Sequence, residues 1–252
     1  MQYGPDLTST EEETRAYKSW RNKYANEEAR CVEYETLRVS PGNRRVHDYF
    51  DRKMVLRALR NLPKGATVLD IPCGGGRITR ALSGAGFRPV AADFSGWMVR
   101  ESMATAALAT RADATRLPFA DKSIDAAVCF RFMQAVPLHI RLAVIRELGR
   151  VARLVLINYQ NIISARSVKR FLLGRRPLRN RHSELQAVGE VESAGLTVAD
   201  CHYKWRFLFE DFLVAATLPV VCVPPASSPS SDSRIVPLHN VSSVPEFLVA
   251  KD

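Results

Sequence analysis

The chain has no apolar run long enough to span a bilayer. Its best stretch, Phe212 to Val223, is 12 residues long and is broken by Pro219, whereas a spanning helix needs roughly 20. No apolar leader segment lies in the first 20 residues, which carry Glu11, Glu12 and Glu13. The expectation is a cytoplasmic protein, at most peripheral at a membrane surface. Cysteine is sparse. The five residues Cys31, Cys73, Cys129, Cys201 and Cys222 are far apart and form no Cys-x-x-Cys, which excludes a zinc ribbon or a dithiol redox motif and favours buried free thiols. The histidines show no ligand spacing, so no metal is expected. There is no internal repeat. Neither Gly-x-Gly-x-x-Gly nor a glycine loop ending in Gly-Lys-Ser/Thr is present, so the dinucleotide fingerprint and the P-loop both fail.

What the chain does have is the composition of a globular protein: 252 residues, 46% hydrophobic and 25% charged. That length can bury a sizeable core. Lys and Arg number 36 against 26 Asp and Glu, a net charge of +10. The excess is local. Between Arg141 and Arg181 there are eleven basic residues against the single acid Glu147, which accounts for the whole net charge. The densest part, residues 166–181, interleaves Arg166, Lys169, Arg170, Arg175 and Arg176 with Val168, Phe171, Leu172 and Leu173. Three readings stand: a solvated charged face, an anionic head group or membrane surface, and nucleic acid. RNA recognition favours aromatic platforms, and only Phe171 lies in this part.

Element signals alternate along the chain. Thr10-Glu11-Glu12-Glu13 is a capping box, and Tyr17, Trp20 and Tyr24 share one face of the helix that follows. That face either packs on the core or covers a pocket. A second helix is predicted over 45–60. From residue 64 strands and helices alternate: a strand over 67–71, a helix over 77–82, a strand over 89–93, a helix over 96–108, a weak strand reaching Ala112, a strand over 124–130, a helix over 138–150, a strand over 151–158, a helix over 183–194 and a strand over 196–207. This pattern means parallel βαβ units covered on both faces. Residues 1–60 then form a helical extension or lid, and 61–252 the α/β domain. Either 209–216 or the terminal run 246–251 closes the sheet; in the second case 208–243 is an insertion.

In such sheets ligands bind beyond the carboxyl ends of the strands. Asp70 closes the first strand and is followed by Pro72-Cys73-Gly74-Gly75-Gly76-Arg77. Glycines there let a ligand approach the backbone and the free N–H groups of the next helix. Asp93 closes the second strand, where a carboxylate can accept two bonds from a ribose diol. The plainer reading of Asp93 and Ser95 is a helix cap. Asp113 follows the third strand and would accept a bond from an amino group.

These motifs, with Asp93-Phe94-Ser95, Met98, Leu117-Pro118-Phe119 and Ser123 to Val128, resemble class I S-adenosylmethionine-dependent methyltransferases. Within them the chain looks like the subgroup of ubiquinone and menaquinone C-methyltransferases, over residues 45–200. The resemblance implies a Rossmann-like, mostly parallel seven-stranded sheet and S-adenosylmethionine as cofactor. It implies that Asp70, Pro72, Cys73, Gly74 and Gly76 form the loop against the methionyl part and that Asp93 holds the ribose. Phe94 and Met98 would pack on the adenine, and Asp113 with the Ala114 backbone would bind its edge. Phe130 and Arg131 would flank the methionine end, with Arg77 on its carboxylate. Pro72 replaces the first loop glycine. The His pair that many relatives place after strand four is missing from Phe132-Met133-Gln134-Ala135-Val136-Pro137.

The implied reaction is in-line methyl transfer to a small-molecule or lipid-like, anionic acceptor. A base is needed only for a poor nucleophile. The candidates are His139, His47 and Tyr159, each with an ordinary structural reading beside it. The alternatives are a non-catalytic methyltransferase-like binding module and an RNA methyltransferase.

Overall fold

Short apolar strands alternating with helices pack here into one seven-stranded sheet, order β3-β2-β1-β4-β5-β7-β6. The structure is a computed structural model that describes residues 10–26, 28–29, 31–33, 43–162, 172–173, 181–203 and 211–219. The helices α1 (Thr10–Asn26) and α2 (Asn43–Ala58) precede β1 (Thr67–Asp70), α3 (Arg77–Gly84), β2 (Arg88–Asp93), α4 (Gly96–Ser102) and β3 (Leu108–Arg111). Then come β4 (Ile124–Cys129), a short 3-10 turn at Met133–Ala135, α5 (Leu138–Val151), β5 (Ala152–Gln160), α6 (Glu184–Ser193), β6 (Thr197–Tyr203) and β7 (Asp211–Thr217).

Strands β1 to β5 pair in parallel, while β7 runs antiparallel between β5 and β6. The strand alternation sorts side chains onto two cores. Leu69, Ala127, Val155, Ile157 and Val214 face α5 and α6. Val68, Ala126, Val128, Leu156 and Leu213 face α2 and α3 through Met54, Val55, Leu59, Ile78 and Leu82. The central strands are buried on both faces, as parallel sheets require.

Three boundaries differ from the sequence expectation. The helix after β2 stops at Ser102 rather than running to 108, because Leu108 is taken up by pairing with Val90. β5 extends through Tyr159 to Gln160, since Tyr159 and Gln160 still pair with Phe212 and Asp211. Of the two closing runs, the earlier one is the sheet strand, β7, so 211–217 is core and not insertion; residues 246–251 lie outside the described residues. Among the described residues no helix is long and apolar enough to cross a membrane.

Candidate functional site

The parallel strands all point their carboxyl ends at one edge, and the acids collect there. Asp70, the last residue of β1, is buried. Its Oδ2 accepts from the Thr79 backbone N at 2.9 Å and from Thr79 Oγ1 at 2.7 Å. Thr79 lies in the first turn of α3, where backbone N–H groups have no helical partner, so the carboxylate caps the helix that the glycine loop opens. Desolvation nevertheless dominates and pushes the Asp70 pKa up to about 6, against the pull of Thr79 and Arg77.

The loop between them is tied to β2. Cys73 N donates to Ala92 O at 2.9 Å, and Gly74 N donates to Asp93 Oδ2 at 3.0 Å. Gly74 and Gly76 take φ of 50° and 75°. A Cβ on Gly76 would stand 2.9 Å from Ser102 Cα, so glycine lets α3 and α4 approach each other. Pro72 is half-buried in this loop. The Cys73 thiol is buried, donates to Ser102 Oγ at 3.5 Å, and is held protonated chiefly by desolvation.

Asp93 is 2% exposed. Its Oδ1 accepts from Ser95 N at 2.9 Å, where α4 begins, while Oδ2 takes Gly74 N. The same carboxylate therefore holds the turn that leads into α4 and fixes the glycine loop. Asp113 Oδ1 accepts from Thr115 N and Oγ1 at 2.9 and 2.7 Å. Its Oδ2 is taken by Arg21 of α1 at 2.6 Å. Phe94, half-buried after β2, lies under two guanidinium groups, Arg21 at 4.5 Å and Arg111 at 5.4 Å from the ring centroid. Met98 and Ala114 are buried beside this end of the edge.

At the other end, Phe130 and Arg131 follow β4. Arg77 stacks over the Phe130 ring at 5.2 Å. Arg131 has φ of 57°, and its N donates to Asn158 Oδ1 at 3.1 Å. Both arginines converge on Asp51 of α2, at 3.2 Å from Arg77 and 3.0 Å from Arg131. Asp48 meets Arg77 at 2.8 Å and Asp211 meets Arg131 at 3.5 Å. The sequence reading missed Asp51, although it lies three and four residues before the core residues Met54 and Val55, an acid on the apolar face of its helix. It also missed Arg21, a cation between Tyr17 and Tyr24 on the face expected to pack or cover.

The candidate bases fall elsewhere. His139 is exposed at the start of α5, its Nε2 3.1 Å from Thr14 Oγ1. His47 is half-buried on α2. Tyr159, expected beyond β5, stands inside the strand and inside the core. Its hydroxyl donates to Glu190 at 3.0 Å, and Phe212 and His182 pack on its ring. Burial drives its pKa up, so it is a buttress of the sheet and not a group that meets an acceptor. Among the described residues no cluster of acids, histidines and cysteines is arranged to hold a metal ion.

The basic segment is less uniform in space than in sequence. Arg141 is buried against Glu190 at 2.8 Å. Arg150 is bound by Glu147 and Asp121, and Arg153 by Asp125. Of residues 166–181, the described ones are Leu172 and Leu173, both exposed, and Arg181, which donates to Asn161 O; the rest lie outside the described residues.

Residues 68–154 match a family described as a methyltransferase domain. The chain is 39% identical over 106 residues to a demethylmenaquinone methyltransferase of Mycolicibacterium vanbaalenii, covering 42% of this chain and 45% of the relative. A protein of the same name from Mycobacterium marinum is 36% identical over 123 residues, 47% of this chain and 52% of the relative. The matched stretch thus spans about half the length of these relatives. The fold is similar to that of magnesium protoporphyrin IX methyltransferase from Synechocystis crystallised with SAH, with a TM-score of 0.62 at 17% identity over 80% of this chain and 99% of that one. It is also similar to the 4+2 cyclase SpnF, TM-score 0.54 at 16% identity over 68% and 81%. The same architecture thus carries different named activities, and the fold alone does not choose between them.

Proposed function

We propose that the protein transfers a methyl group from S-adenosylmethionine to a small, lipid-like acceptor of the quinone class. The observation that carries the cofactor half is Asp93. It is buried at the end of β2, its two oxygens fix Gly74 and Ser95, and it stands beside a loop with two glycines in the left-handed region. The chemistry of the edge fits the group. The desolvated Asp70 carboxylate gains from a positive charge beside it, and the methionyl end carries an ammonium and a sulfonium. Bound there, S-adenosylmethionine supplies a methyl group already activated by the positive sulfur.

The chain's own residues then have simple tasks. Asp70 and the 72–76 loop hold the methionyl part, with Arg77 and Arg131 at its carboxylate. Asp93 takes the ribose hydroxyls, and Phe94, Met98, Asp113 and Ala114 receive the adenine. Of residues 1–60, the described helices α1 and α2 cover this edge and exclude water, and 61–252 hold cofactor and acceptor. Alignment and dryness, more than acid–base chemistry, set the rate of such a displacement. The names of the relatives support a quinone-like acceptor. The basic stretch 166–181, which follows β5, favours a ring that is anionic when ionised or is delivered from an anionic lipid surface.

Titration calorimetry of the intact protein with S-adenosylhomocysteine tests the cofactor half. Binding is expected, and Asp93→Ala should weaken it roughly 10- to 100-fold, the loss of hydrogen bonds to a charged group. Folded wild-type protein that binds nothing overturns the reading. Transfer of labelled methyl to a hydroxynaphthoquinone, and not to RNA, tests the acceptor half.

A further inference from the structure

The first described residues form a strap along the carboxyl edge. It is pinned at four places: Thr14 to His139 after β4, Arg21 to Asp113 after β3, Glu28 to the indole N–H of Trp97 at 2.9 Å on α4, and Cys31 to Ser95 at 3.4 Å after β2. The second pin is the unusual one. The Arg21 guanidinium is a planar cation that donates to Asp113 at 2.6 Å and lies 4.5 Å from the centre of the Phe94 ring. Adenine is a planar group that would donate its amino hydrogens to the same carboxylate and stack on the same ring. With Arg21 in place, the distance to Phe94 is a single stacking contact and leaves no layer for a second flat group.

We propose that Arg21 occupies the adenine subsite, so that α1 is a latch which must release before the adenosine end of the cofactor can seat. The inference rests on the cofactor reading above. The latch is held loosely enough to move. The Arg21–Asp113 pair is about a quarter exposed on both sides, 26% and 29%, so water and salt screen it. The Arg21 Nε is buried without a hydrogen-bond acceptor, a cost that opening relieves. Released, the guanidinium can return over the outer face of the bound ring, and the aromatic face of Tyr17, now 5.7 Å from it, moves with it. Cofactor affinity is then set by the site and also by the fraction of molecules with the latch open.

Calorimetry with S-adenosylhomocysteine on the full chain separates the outcomes. Arg21→Ala should bind more tightly than wild type, by about tenfold if the latch is closed about nine-tenths of the time. Arg21→Lys, which keeps the charge without the flat face, should fall between. Added salt should tighten wild type and leave Arg21→Ala unmoved. Binding by Arg21→Ala that is equal to or weaker than wild type overturns the latch and leaves the cofactor reading standing. Absence of binding by wild type and variant alike overturns both.

Discussion

Asp70 shows how one residue joins stability to ligand chemistry. Its ordinary value of 3.8 is raised to about 6 by burial, so the folded protein prefers the protonated acid. The stabilisation this gives is full below about pH 3.8 and is lost as pH rises through 6, a span of about 3 kcal/mol. Asp70→Asn keeps an oxygen for Thr79 and carries no charge. Its stability relative to wild type, by urea denaturation, should therefore rise between pH 4 and pH 7; a flat difference would show that the buried charge is not the cause. A cationic ligand reverses the preference, so cofactor affinity should climb over the same interval.

The individual residues of the edge were also the part most readable in the sequence. Asp70, Asp93 and Asp113 each end or follow a strand, and strand ends in a parallel sheet point one way. What the sequence hid were their protein partners. Thr79, Ser95 and Arg21 meet these acids only because a helix start or a distant helix arrives there, and Arg21 is 92 residues from Asp113.

Among the elements, β5 and its neighbours carry a buried polar cluster that no periodicity announces. Arg141 on α5, Tyr159 on β5 and Glu190 on α6 meet at one carboxylate, with His182 at 3.6 Å. Glu190→Leu strands a buried guanidinium and should cost about 3–5 kcal/mol, whereas Glu190→Gln, which still accepts from both, should cost less than half of that. Thermal and urea unfolding check this, and equal losses would refute a charge-based role. Tyr159 was misplaced for the same reason. An apolar run followed by Asn158 looks like a strand end, yet Asn158 turns its amide inward, donating to Phe212 O and accepting from Arg131 N. Strand limits here are set by pairing with β7, whose residues lie 51 to 61 positions later in the chain than their partners and run in the opposite direction.

For the whole molecule, the net charge of +10 traced by sequence to one segment is divided in space. Within α5 and β5, Arg141, Arg150 and Arg153 are paired with Glu190, Glu147, Asp121 and Asp125, three of which lie outside the segment, while Arg146 is exposed. Counting along a chain cannot see such pairing. Fold class was plain from the alternation of elements; which of two runs closed the sheet was not, because both are apolar and only packing chooses between them.

The strap also has a place in time. Its pins join residues 125, 92, 69 and 64 apart in sequence, and the partners, two just after strands and two on helices that follow strands, are brought to one edge by the pairing of β1 to β4. Closing such long loops early costs entropy with nothing yet to bind. α1 thus precedes its partners in the chain and settles after them. During refolding, α1 amides should gain exchange protection after those of β1 and β4, and protection of α1 first would contradict it. A newly folded molecule accordingly passes through a stage in which its sheet is complete and its pocket uncovered, and a cofactor present at that moment meets no latch at all.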